Sequence, residues 1–118
     1  MKKHSDKLDR IFSLQKELQI KGYGNHLDKY NLEERESYTK DSIFCGIKEF
    51  TEVLDAINWK VHKKTRFNPK PKVIREEIVD CFKFLLNIAL AWGITSDDLY
   101  EAFNLVTKRN WDRIKNNY

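Results

Sequence analysis

At 118 residues the chain is long enough for one core, and residues 1–118 read as a single domain. A hydrophobic fraction of 41% beside 34% charged residues fits a folded globular protein, and no run reaches the roughly 18 apolar residues of a bilayer span. The net charge of +4 is unevenly placed: residues 60–75 hold seven Lys/Arg and no Asp/Glu, which suits a solvated loop, a polyphosphate or a nucleic-acid backbone. No apolar segment resembling a signal peptide follows the N-terminus, so a cytoplasmic location is expected, with Cys45 and Cys81 as free thiols.

In chain order, residues 6–21 predict a first helix. Leu8, Ile11, Phe12, Gln15, Leu18 and Gln19 fall near one face, Ser5 or Asp6 caps the start, and Gly22-Tyr23-Gly24-Asn25 ends it. Gln15 stands out on that face. It is either a boundary residue or an amide aimed into a ligand pocket, able to donate and accept at a base edge. Residues 25–38 read as a loop, at most with a short helical piece. Residues 40–64 predict a second helix with an apolar stripe of Ile43, Ile47, Phe50, Leu54, Ile57 and Val61. Glu49 and Glu52 fall almost opposite that stripe, beside Cys45, Val53, Ala56, Trp59, Lys60 and Lys63. A purely solvated face does not usually carry such residues, so burial on two sides is expected.

Asn68-Pro69-Lys70-Pro71 breaks the chain, and residues 72–92 predict a third helix, apolar nearly all round and therefore central. Glu77 shares a face with Cys81, Phe84, Ile88 and Ala91, and Asp80 lies at its edge. A carboxylate there costs several kcal/mol of desolvation unless it is paired or metal-bound. The two outcomes are salt bridges to the basic connector or a ligand site. Gly93 ends this helix, and Thr95 to Asp98 forms a capping box for a fourth helix running to about residue 115. Leu99, Phe103, Val106 and Ile114 give it an apolar face. Its basic, aromatic end contains Lys108, Arg109, Asn110, Trp111 and Arg113.

Glu49-Phe50-Thr51-Glu52 and Glu77-Ile78-Val79-Asp80 each place two carboxylates one turn apart on a helix. If the helices are antiparallel, the pairs converge and repel without a counter-charge. Mg²⁺, or Mn²⁺, is the expected neutraliser, because hard cations prefer oxygen and there is no His/Cys cluster for zinc; His62 stands alone. Such a site suits phosphate chemistry, with water attacking phosphorus and pyrophosphate leaving. Lys63 and Lys108 are among the cations that would hold phosphates.

These stretches resemble the all-α NTP pyrophosphatases, the group of MazG and the dimeric dUTPases. Beside the two acidic motifs, residues 54–64 resemble the Trp-Lys segment after the family's first motif, and residues 75–85 resemble its second motif. Residues 8–18 look like its first helix, and Asn110-Trp111-Asp112-Arg113 with Tyr118 looks like its phosphate-binding segment. Lys83 stands where a His is usual, and Val106-Thr107 where Lys-Asn is usual. The resemblance implies an all-α bundle of four to five helices, assembled as a homodimer or a dimer of dimers. It implies Mg²⁺-dependent hydrolysis of dUTP to dUMP and pyrophosphate, with dCTP or purine dNTPs as the alternative substrates. By the same resemblance Glu49, Glu52, Glu77 and Asp80 are metal ligands, and Glu49 of the first pair orients the water. Gln15 and Trp59 meet the base, while Lys60, Asn110, Arg113 and Tyr118 meet the phosphates. A helical nucleic-acid-binding module or a non-catalytic interaction protein remains open on the residues alone, although a DNA binder gains nothing from the acidic quartet. Neither a membrane nor a stable nucleic-acid partner is expected.

Overall fold

The computed structural model describes residues 6–116. Tyr118 lies outside the described residues. Four α-helices and no strand appear among them: α1, Lys7–Glu17; α2, Leu32–Asp55; α3, Pro71–Ala91; and α4, Ser96–Lys115. The predicted all-α architecture is observed.

Asp6 starts α1 by accepting from the Asp9 backbone N–H at 2.8 Å. The helix widens into a π-helical turn, Leu18–Gly22, before Gly24 takes φ +71. A short 3₁₀ turn, Leu27–Lys29, buries Leu27. The second helix differs from expectation at both ends. It begins at Leu32, not residue 40, because Asn31 and Glu34 form a reciprocal capping box at 2.8 and 2.9 Å. It ends at Asp55, not residue 64. The Asn58 side chain there donates to the Phe67 carbonyl at 2.8 Å and accepts the Phe67 N–H at 3.1 Å. That clasp closes residues 58–67 into a loop, so Trp59, Lys60 and Lys63 are loop residues and do not share a helical face with Glu49.

Pro71 begins α3 at a position where its missing N–H costs nothing. Gly93, at φ +67, ends it: its N–H bonds the Leu90 carbonyl at 3.2 Å and the Ile94 N–H bonds the Ala89 carbonyl at 2.9 Å, a Schellman closure. The Thr95–Asp98 capping box then launches α4, and the chain bends by 110° between α3 and α4. A hydrogen bond from the Ser96 hydroxyl to Asp9 ties the first turn of α4 to α1.

The core is small. Phe12, Leu86 and Ala89 form its centre, with Leu8, Phe82, Leu90, Ile94 and Leu99 packed around them. The stripe expected to bury α2 does not enter it: Ile43 and Ile47 are exposed, Phe50 is 72% exposed and Val61 91%. The flank of α2 beside that stripe packs on α3 instead, and the stripe itself borders an open groove between the two helices. Ser42 and Ala56 are buried there, and at Gly46 an added Cβ would lie 3.5 Å from Phe84. Small residues let the two helices approach closely, which draws Glu49 and Glu52 inward. Within one chain α3 is not apolar-covered all round either, since Ile78 and Leu85 are exposed. Every residue of α4 from Glu101 onward is exposed to solvent. No single helix is long and apolar enough to cross a membrane.

Candidate active site

The α2–α3 contact brings Glu49, Glu52 and Glu77 together, each with a carboxylate oxygen within 4.8 Å of the others. Asp80, one turn along α3 from Glu77, lines a cavity with Glu49, and its charge acts on both Glu49 and Glu77. One oxygen of Glu49 and one of Glu77, Oε2 in each, are shielded from water and have no hydrogen-bond partner. A shielded carboxylate oxygen without a donor is costly, and these two face other acids.

The electrostatics follow from that crowding. A hydrogen bond shared with Glu52 raises the Glu49 carboxyl above its usual range, and desolvation and the Glu52, Asp80 and Glu77 charges add to the rise. Desolvation comes first for Glu77, followed by the charges of Glu52, Asp80, Asp55 and Glu76; all raise it. Glu52 moves the other way, because Lys48 donates to it at 3.1 Å. Burial pushes the Cys81 thiol up, as do Glu49, Asp80 and Glu77, so it is not poised as a nucleophile. Among the described residues no ion pair joins Glu49, Glu77 or Asp80 to the basic connector; the salt bridges are i,i+4 pairs within helices, such as Lys48–Glu52.

Beside the acids lies a cavity of about 370 Å³ between α1, α2 and α3. Its lining contains Gln15, Gln19, Ser42 and Asn87, which are the buried polar residues of the described chain. Lys83 donates to Gln15 Oε1 at 2.9 Å, and Gln15 Nε2 donates to Asn87 Oδ1 at 2.8 Å. Gln19 Oε1 accepts from Asn25 at 2.9 Å and from the Tyr38 hydroxyl at 3.1 Å. Burial pushes the Tyr38 phenol up to about 12, against a hydrogen bond with Ser42, so it stays a donor. Gln15, 3% exposed, is thus an amide of the cavity wall and not a boundary residue.

Trp59, Lys60 and Lys63 line a second cavity, of about 280 Å³, with Asp55, Arg66 and Phe67. Lys60 Nζ sits 5.4 Å from the Trp59 ring centre. This cavity borders the acidic cluster through Asp55, whose charge acts on Glu77. Gln15 and Trp59 therefore line different cavities. Lys108, Asn110 and Arg113 lie on the exposed length of α4, where Lys108 pairs with Asp112 at 3.4 Å, and neither cavity includes them.

Sequence reasoning missed Asn87, Ser42, Asn25 and Tyr38 as wall residues. Asn87 carried a legible signal, being the polar residue inside the most apolar run of the chain, residues 84–92. Gln19 was visible on the apolar face of α1 but had no partner to argue from. Tyr38 and Asn25 fell in what read as loop.

Helices α1, α2 and α3 around a carboxylate cluster and a polar cavity are the frame of an all-α nucleotide pyrophosphatase. The family described as dUTPase matches residues 7–96, more than half of the chain. The chain belongs to that dUTPase family, and its activity is of the dUTP diphosphatase type. Comparison with curated proteins and with solved structures returned no significant match.

Proposed function

We propose that the protein hydrolyses dUTP to dUMP and pyrophosphate with Mg²⁺, as a homodimer or a dimer of dimers. One observation carries the reading: crowded carboxylates with two shielded, partnerless oxygens open onto a cavity walled by buried amides. The donor set fits a hard cation, being all oxygen and short of positive partners. Glu49, Glu52, Glu77 and Asp80 would hold it. A divalent cation supplies positive charge against phosphate oxygens and acidifies water.

The chain's own residues do the rest. The amide-lined cavity takes the base. Glu49 borders both the cluster and this cavity, so it orients the attacking water and accepts its proton. A new P–O bond forms to that water as the bond between the nucleotide monophosphate and pyrophosphate breaks. Lys60 and Lys63, in the cavity reached past Asp55, hold the departing phosphates. In the same reading Lys108, Asn110, Arg113 and Tyr118 serve the phosphates from the C-terminal end. Trp59, beside Lys60, is the second base contact of this reading.

A panel of dNTPs with Mg²⁺, run with and without EDTA, tests this. dUTP is expected to yield equimolar dUMP and pyrophosphate, with the rate abolished by EDTA. Release of inorganic phosphate alone, or turnover indifferent to EDTA, would overturn it.

A further inference from the structure

Lys83 lies in the wall of the amide cavity and makes no ion pair among the described residues. Its hydrogen-bond partner is the neutral amide of Gln15, at 2.9 Å. An ammonium group can only donate, and this fixes more than one bond. Gln15 must turn its oxygen to Lys83, which leaves its nitrogen to donate to Asn87 at 2.8 Å. Asn87 must then present its oxygen to Gln15 and keep its own NH₂ for another acceptor. A single cation thus sets the direction of a three-residue relay, and both ends of the relay offer N–H groups. Gln15 and Asn87 are buried at 3% and 6% exposure, so neither can reverse without leaving a buried group unpaired.

We infer that Lys83 determines base preference: by polarising the Lys83–Gln15–Asn87 relay it makes that wall of the cavity a donor surface that selects a pyrimidine edge bearing keto oxygens over one bearing an amino group. Uracil offers two carbonyl oxygens to such a surface, while its N3–H is left to an acceptor of the same cavity, whose lining includes Asp41 and Asp80. Cytosine replaces one of them by an NH₂, which meets N–H donors with N–H. A site built to hydrogen-bond one edge rejects the other because its own buried groups are left unpaired. This inference rests on the base occupying the amide cavity, as proposed above, but not on hydrolysis itself.

The test is the ratio of kcat/KM for dUTP to that for dCTP in the wild type, Lys83→Met, Lys83→Gln and Lys83→Arg. Both substrates are measured on the same preparation, so the folded fraction cancels from the ratio. The ratio is expected to fall about tenfold or more in Lys83→Met and Lys83→Gln, where the relay can reverse, and to be retained in Lys83→Arg, which still only donates. A ratio unchanged within about twofold in both neutral variants overturns the inference. So does a parallel loss for both substrates, which would place Lys83 at the phosphates or in the fold. A second arm is independent of turnover: the rise in Tm given by dUMP against dCMP. It is expected to favour dUMP in the wild type and to equalise in Lys83→Met. If no dNTP turns over but the dUMP preference is present and is lost in Lys83→Met, the hydrolytic reading fails and this one stands. Equal shifts by dUMP and dCMP in the wild type overturn this one alone.

Discussion

Glu77 shows how much one side chain can reveal. Its companions on α3 are apolar, and a carboxylate in that setting requires a counter-charge. The structure gives it no cation among the described residues and puts two further glutamates within 4.8 Å. Glu77→Gln is therefore expected to act in opposite directions on two measurements. Turnover falls by at least about a hundredfold, the upper end of what losing even an outer partner of a metal site costs. Thermal stability of the EDTA-treated protein rises, because a like charge has left the cluster. A variant that keeps its turnover sinks the assignment.

The carboxylate shifts also fix the sign of a pH effect. Glu49 and Glu77 have folded pKa values above the ordinary Glu value, so the folded state holds their protons more tightly than the unfolded chain. Their contribution to stability is full below the unfolded value and is lost as pH rises through the raised folded values. Glu52, shifted down, contributes above the ordinary value and loses that contribution as pH falls through its lowered one. Without metal, Tm is expected to decline as pH rises from the ordinary Glu range through the raised values of Glu49 and Glu77, and the decline should shrink in Glu77→Gln. Identical slopes in the two proteins would count against the crowding described.

At the scale of the element, α3 and α4 were legible in the sequence because their ends carry strong punctuation: Pro71, Gly93 and the Thr95–Asp98 box. The second helix was not, for two physical reasons. Its start is an Asn31–Glu34 box lying in a stretch too polar to show a periodic stripe, and its end is a side-chain clasp on the backbone nine residues on, which no helical or strand period reports. Its packed face also lies to one side of the apolar stripe. Periodicity reports that Ile43, Ile47 and Phe50 share a face, but not which neighbour that face meets. The face that packs on α3 was the less apolar one, chosen by the close approach that Ser42, Gly46 and Ala56 allow. The acidic pairs were found from spacing alone, whereas the amide cavity depended on tertiary neighbours such as Lys83 and Asn87 that no local pattern joins.

The Asn58 clasp has its own test. Asn58→Ala removes both bonds to Phe67, and a cost of about 1–2 kcal/mol is expected in stability. The larger effect should fall on KM, since the clasp shapes the loop carrying Trp59, Lys60 and Lys63. A KM equal to that of the wild type would detach this loop from substrate binding.

At the scale of the whole molecule, exposed apolar surface dominates. A groove of about 300 Å³ between α2 and α3, lined by Ile43, Ile47, Phe50, Phe84, Leu85 and Ile88, is almost free of polar groups. Phe103, Leu105 and Ile114 are exposed along α4. Surface of this kind on a small domain marks an association face, and the self-complementary solution is a second copy. Light scattering is expected to give at least a dimer, and Phe50→Asp, at the 72%-exposed centre of the groove, is expected to dissociate it. A monomeric wild type would refute this.

A 20-residue helix whose described residues from Glu101 onward are all exposed is marginal in water on its own bonds. In the proposed dimer the order of α4 would be set by mass action: each chain would lend the other the surface that keeps this helix wound, and protomer concentration would become a variable of the fold itself. Dilution should unwind the molecule from its C-terminal end inward, removing Lys108, Asn110 and Arg113 from register while the carboxylates of α2 and α3 stay in place.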